Sequence, residues 1–118
     1  MKKILTLLLF FFSNLIMAET IYKKCLSDSG DSSYNINFDT SSLKGVMQFK
    51  FMGQDITYEI LSAEYKKGVF SGIASFVKSA TGELGDEPFL ISYDTNTKIL
   101  KELTSYKCQW KNYSFSCS

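Results

Sequence analysis

The sequence predicts an all-β domain, a small antiparallel β-barrel of about eight strands or a sandwich, built from consecutive hairpins. Three observations carry this prediction. From Thr20 onward no stretch shows the period of an amphipathic helix, and β-branched and aromatic residues abound. Apolar and polar residues alternate with period two through residues 43–63. Turn-forming clusters then recur at a spacing of roughly 8–12 residues. For a domain of this size closure into a barrel is favoured over a sandwich, because closure removes exposed edges.

Residues 1–18 stand apart from that pattern. Lys2 and Lys3 precede a 14-residue apolar run, residues 4–17, broken only by Thr6, Ser13 and Asn14. Ala18 follows as a small residue before the polar Glu19 and Thr20. This is the layout of a cleaved secretory signal peptide, and the run falls short of the ~18 apolar residues of a membrane anchor. The expectation is a signal peptide at 1–18 and a single all-β domain at 19–118, periplasmic or secreted, with no stable membrane span after cleavage. No Cys follows the cut directly, which argues against a lipid anchor.

Composition excludes several chemistries. The 118 residues contain 13 Lys and 12 acids, with no Arg and no His. Without His there is no Ser-His-Asp triad, no Cys-His dyad and no His-ligated zinc. Without Arg there is no bidentate fork for phosphate or guanine. Removing 18 residues and two lysines leaves 100 residues with 11 Lys against 12 acids, so the formal charge of +1 becomes −1. A generic nucleic-acid binder is basic, and no nucleic acid is expected as a partner.

The strands follow in order. Residues 22–26 and 33–38 read as two strands joined by the turn-rich Ser27-Asp28-Ser29-Gly30-Asp31. In residues 43–63, Met47, Phe49 and Phe51 alternate with Gln48 and Lys50, and Ile56, Tyr58 and Ile60 alternate with Asp55, Thr57 and Glu59. A two-residue Gly53-Gln54 loop suits a type II′ turn, which wants Gly first. It pairs Phe51 with Ile56, Phe49 with Tyr58 and Met47 with Ile60, and sets Gln48 beside Glu59 and Lys50 beside Thr57. Lys66-Lys67-Gly68 turns the chain into residues 69–78, apolar on both faces and therefore central, with Gly72 marking a bend, a bulge or close packing. Residues 79–88 form the longest loop. Residues 89–93 make a strand, Asp94-Thr95-Asn96-Thr97 a turn and residues 98–103 the return, although Ile99, Leu100 and Leu103 also fit one helical turn. Residues 106–110 and 113–117 close the chain as a last hairpin, with its apex at Asn112-Tyr113, which sets Cys108 opposite Cys117, or at Lys111-Asn112, which sets Cys117 opposite Tyr106.

Cys25, Cys108 and Cys117 are the disulfide candidates. The apex at Asn112-Tyr113 sets Cys108 opposite Cys117, a separation a disulfide accepts. A bridge from Cys25 to either partner constrains the unfolded chain more strongly, by about 1–1.5 kcal/mol in the chain-entropy argument. Both arrangements stay open. No CxxC spacing offers a redox motif or zinc knuckle, and no metal or other cofactor is assigned.

The most site-like cluster is Glu83, Asp86 and Glu87 on the 79–88 loop. Hard oxygens on a Gly-containing loop suit Ca²⁺, but the spacing matches no EF-hand and three acids on a solvated loop are ordinary. Asp86 and Glu87 also fall short of an acid–base pair, since sequence neighbours point apart whereas catalytic carboxylates converge. The chain is not expected to be an enzyme. Tyr22-Lys23-Lys24 and Tyr65-Lys66-Lys67 repeat an aromatic–basic pattern that reads as strand ends, with Lys capping half-buried Tyr.

Tyr22-Lys-Lys-Cys25, the segment Val69-Phe-Ser71-Gly72-Ile-Ala-Ser-Phe76 and a later Cys resemble the periplasmic inhibitors of c-type lysozyme. Those are small exported β-barrels whose Ser-Gly segment plugs the lysozyme cleft. The resemblance implies that Ser71 and Gly72 sit at the contact with a lysozyme-like enzyme or toxin. The sequence therefore leads to an exported binding protein, of inhibitor or immunity type, that recognises a protein partner through loops on a rigid scaffold, with the 79–88 loop and its Glu83, Asp86 and Glu87 as the contact if Ser71 and Gly72 are not. The alternative is a carrier with Phe49, Phe51, Tyr58, Phe70 and Phe76 lining a cavity for a small apolar ligand.

Overall fold

The turns set the strand pattern. Among the residues described by the computed structural model, 19–77, 88–106 and 108–118, φ is positive at Met52 (49°) and Gly53 (78°) and again at Lys67 (52°) and Gly68 (79°). Two consecutive positive φ values make a type I′ turn, whose twist suits a tight hairpin. Asp39 and Asp94 each open a longer turn in the same way. Each carbonyl accepts the amide four residues on, from Leu43 (2.9 Å) and Lys98 (2.8 Å), and each Oδ1 accepts an amide two residues on, from Ser41 (2.9 Å) and Asn96 (2.8 Å).

Between the turns run β1 (Thr20–Ser27), β2 (Ser32–Asp39), β3 (Lys44–Phe51), β4 (Gln54–Lys66), β5 (Val69–Phe76), β6 (Phe89–Asp94), β7 (Ile99–Tyr106) and β8 (Gln109–Cys117). All neighbours are antiparallel, and β8 returns to β1, closing an eight-stranded barrel. The all-β barrel expected from the sequence is the fold. Ile99, Leu100 and Leu103, which also fitted one helical turn, lie in the strand Ile99–Tyr106.

Two register expectations are corrected. The β3–β4 loop is Met52-Gly53, not Gly53-Gln54, so Phe51 pairs with Gln54, Phe49 with Ile56 and Met47 with Tyr58. The faces survive, because the pairing slides by two residues and the side-chain period is two. Gly53 takes the second position of a type I′ turn instead of the first of a type II′ turn. The terminal hairpin with its apex at Asn112-Tyr113 or Lys111-Asn112 does not form. Tyr106 pairs with Gln109, and β8 runs unbroken to Cys117. The bend falls at Cys108, where φ is 64°.

That shift settles the cysteines. Cys108 is exposed and free at the β7–β8 turn, while Cys25 and Cys117 face each other across the closing seam and form a disulfide. The seam itself is short: Cys25↔Cys117, Leu26↔Ser116 and Ser27↔Phe115 are its register pairs, against eight between β2 and β3. The covalent bond lies on the barrel's shortest ladder.

Inward residues fill the barrel in cross-strand layers. Phe38 stacks on Phe70 with centroids 4.5 Å apart, and both are fully buried. Tyr34 packs between Phe49 (4.7 Å) and the edge of Phe115 (4.9 Å), and Tyr58 meets Phe89 edge-on at 4.9 Å. Each fully buried aromatic or aliphatic side chain contributes about 1.5–3 kcal/mol. Ile21, Ile36, Met47, Ala74, Ile91, Tyr93 and Leu100 complete the core. A bulge at Leu61 shifts the β4–β5 register between Ile60 and Ser62, and opposite it Gly72 lets the wall close in. A Cβ on Gly72 would stand 2.7 Å from the Ser62 carbonyl oxygen and 3.1 Å from both Ala63 and Ile60.

Candidate functional site on the outer wall

The closed ladder places outward side chains in rows that cross the strands. One row runs Ser62, Ile73, Leu90, Leu103 and Asn112 from β4 to β8. Ile73 is 38% and Leu90 45% exposed. The next row runs Glu64, Ser71, Ser92, Lys101 and Ser114, with an acid near one end, a base near the other and serines between. A shallow groove of about 550 Å³ lies along this wall, its lining including Ser62, Glu64, Ser71, Gly72, Leu90, Ser92, Lys101, Glu102, Leu103 and Asn112. Leu61, pushed out by the bulge, adds a 58% exposed apolar side chain at the β4 side.

The groove follows from local sequence. Strands β5, β6 and β7 carry an apolar residue in an outward position (Ile73, Leu90, Leu103), and antiparallel pairing brings those residues side by side. Serines on the neighbouring row keep that side of the floor low and able to donate or accept hydrogen bonds. Glu64 lies 3.7 Å from Lys66, both well exposed, an ion pair worth little to stability.

The sequence-predicted residues divide. Ser71 lies in the outer groove, half-buried, as a site residue should. Its neighbour Gly72 turns inward, and its missing side chain serves the packing against Ser62, Ala63 and Ile60. Both line the groove, Ser71 through an outward side chain and Gly72 through its backbone. Glu83, Asp86 and Glu87 lie outside the described residues. Of the proposed cavity residues, Tyr58 and Phe70 are buried in ring contacts within the core, Phe49 and Phe76 pack against it half-buried, and Phe51 is 40% exposed. Among the described residues no group of three or more Cys, Asp or Glu is placed to hold a metal ion.

Leu90, Leu103 and Asn112 were not singled out in the sequence. Each sits in an alternating strand where only the three-dimensional register shows which apolar residue is left outside. Glu102 was also missed. Its β7 position faces the interior in the layer of Gly72 and Ile91, and it accepts a hydrogen bond from the buried Tyr34 hydroxyl at 2.5 Å. Asp39, at the β2–β3 turn, is held below the ordinary carboxylate range by hydrogen bonds from the Ser41 side chain and the Ser42 and Ser41 amides. Burial, with the Asp94 charge as a smaller cause, pushes the Tyr93 phenol above its ordinary value.

No family model matches the chain, and no curated protein or solved structure matches it significantly.

Proposed function

We propose that this is an exported binding protein of inhibitor or immunity type, which recognises a protein partner with the β4–β8 wall of its barrel. The observation that carries this reading is the contiguous outward row Ile73–Leu90–Leu103, with Ile73 and Leu90 exposed and Leu103 half-buried, bordered by a polar row containing Ser71. Contiguous apolar patches with polar rims mark interaction sites, whereas single exposed apolar residues need no explanation. The turns described at either end of the barrel are two to four residues long and offer little reach.

Two further features support export and the choice of partner. The Cys25–Cys117 disulfide fits an oxidising compartment, in keeping with the leader-like residues 1–18. The resemblance of Tyr22–Cys25 and Val69–Phe76 to lysozyme inhibitors makes a c-type lysozyme the first partner to try, with Ser71 at its contact.

A photo-crosslinking amino acid at Leu90, compared with one at Gln48 on the opposite wall, tests the reading in cells that export the protein. A discrete adduct from Leu90 and none from Gln48 is expected. Equal labelling at both, or none at either, overturns it. In parallel, c-type lysozyme should lose activity with the wild-type protein and keep it with L90D; undiminished lysozyme activity with the wild type removes lysozyme as the partner.

A further inference from the structure

Backbone groups of successive residues in an antiparallel strand point to opposite neighbours. In β8 the Cys117 amide donates to the Lys98 carbonyl at 2.8 Å, and Tyr106 pairs with Gln109 across the terminal turn. Residues 109, 111, 113, 115 and 117 therefore turn their backbone groups toward β7. Trp110, Asn112, Ser114 and Ser116 turn theirs the other way, where β1 should stand. There β1 meets Ser116 through Leu26 and ends its pairing at Ser27↔Phe115. The chain then leaves into the β1–β2 turn, closed by the Gly30 amide on the Ser27 carbonyl at 2.9 Å. Among the described residues no strand lies against Trp110, Asn112 and Ser114. Three amides and three carbonyls of a regular strand thus point out of the barrel.

Such edges are normally guarded by a charge, a proline or a bulge. In residues 110–114 only Lys111, on the opposite parity, carries a charge; Trp110, Asn112 and Ser114 supply none of these guards, and Trp110, the single tryptophan of the chain, is 66% exposed. The edge also continues the docking wall, because Asn112 is the last residue of the row Ile73–Leu90–Leu103. A strand added here would extend that row by one side chain.

We infer that the edge of β8 from Trp110 to Ser114 accepts an extended segment of the partner protein as a ninth strand, placing an apolar side chain against Asn112. The chemistry of the edge selects a polypeptide backbone, and the adjoining row selects the side chain. The inference rests on the proposed function for the class of partner and adds how that partner is held. A second copy of this chain fits less well. Pairing all three edge residues with an antiparallel β8 would set its Gln109 opposite Phe115, the place already taken by Ser27. A free linear segment meets no such block.

The test pans linear octapeptides, displayed on phage, against the purified disulfide-bonded protein, then measures synthetic winners by Trp110 fluorescence. N112P removes an amide that β7 does not use, so the barrel keeps its ladder, whereas N112A keeps that amide. Winners should lose at least tenfold in affinity for N112P and stay within about threefold for N112A. N-methylation of the winner at alternate residues should abolish binding in one parity only, a readout on wild type that holds even if N112P folds poorly. Failure to enrich any peptide, or winners indifferent to both N112P and N-methylation, overturns the inference. Winners lost on L90D but not on N112P refute the edge and leave the wall reading standing, while loss on N112P alone supports the edge and counts against the wall. A wild-type dimer in sedimentation that N112P dissociates replaces the partner segment with a second copy.

Discussion

Across β1–β4 the outward rows read Tyr22–Asn37–Val46–Glu59, Lys24–Asn35–Gln48–Thr57 and Leu26–Ser33–Lys50–Asp55, so that the exposed Tyr22, Leu26 and Val46 each have polar cross-strand neighbours in their row. Across β4–β8 they read Ser62–Ile73–Leu90–Leu103–Asn112 and Glu64–Ser71–Ser92–Lys101–Ser114. The inward rows of both halves are equally apolar, with Tyr34, Ile36 and Met47 on one side and Phe70, Ile91 and Leu100 on the other. Both walls thus satisfy the same folding requirement. An outward Leu adds less to that requirement, since Leu90 stays 45% exposed in the folded state. What sets β5, β6 and β7 apart is that their outward apolar residues adjoin, and that contiguity is better explained by what the wall meets than by what the barrel needs.

The comparison presupposes that the two walls are locked together, and their closing seam is short. Breaking it gives the largest effect expected. Reducing the Cys25–Cys117 bond, or replacing both residues by Ser, removes a crosslink across a separation of 92 residues. In the chain-entropy argument this costs about 4–5 kcal/mol, read as a lower midpoint in chemical denaturation. Replacement of Cys108 by Ser should leave the midpoint unchanged. A loss below ~1 kcal/mol on removing the bridge would mean that the three strand pairs close the barrel unaided.

The second test strikes the side of the barrel under the apolar wall. Gly72→Ala adds a Cβ 2.7 Å from the Ser62 carbonyl oxygen, a backbone atom that cannot swing aside. Overpacking of this kind costs about 1–3 kcal/mol. The variant should melt early and also weaken partner binding, because the floor beneath Ser71 must shift. Unchanged stability would show that the β4–β5 bulge at Leu61 absorbs the methyl group.

Much of this architecture was legible in the sequence, for physical reasons. Alternation in residues 43–63 fixes which face of β3 and β4 is buried, and that assignment survived even though the turn moved by one residue. The turn itself was misread because Gly suits either position of a two-residue hairpin loop, and nothing local showed that Met52 would accept positive φ. The C-terminal hairpin was misread for a similar reason. Asn112 looks like a turn residue, and only the register of β8 against β7 reveals it as mid-strand. Ser71 was found because a Ser-Gly pair stands out, but Leu90 and Leu103 were not. A leucine in an alternating strand looks like core until the opposite parity is seen to carry Phe89, Ile91 and Leu100.

The wall itself is tested by charge. Leu90→Asp should reduce partner affinity at least tenfold, about 1.4 kcal/mol, as truncation of a central interface residue does. Gln48→Asp on the polar wall should leave affinity unchanged. Both substitutions are on the surface and should alter stability by no more than about 0.5 kcal/mol. Equal loss of affinity from both would erase the distinction between the walls.

The smallest effects distinguish the walls by pH. On the side of β6, Tyr93 has its phenol pushed up by burial and, to a lesser degree, by the charge of Asp94. A folded-state value above the unfolded one means that the unfolded chain loses its proton first, so stability is full below about pH 10 and declines as pH rises past it. Tyr93→Phe should flatten that alkaline decline. At the β2–β3 turn the sign reverses. Asp39 is held low by the Ser41 hydroxyl and by the Ser42 and Ser41 amides, so its contribution is present above about pH 4 and fades as pH falls. Asp39→Asn should lower the denaturation midpoint slightly at neutral pH, and the difference should shrink as pH falls below about 4 and the carboxylate it removes becomes protonated. A difference that persists in acid would mean that the turn depends on side-chain shape at residue 39 rather than on its charge.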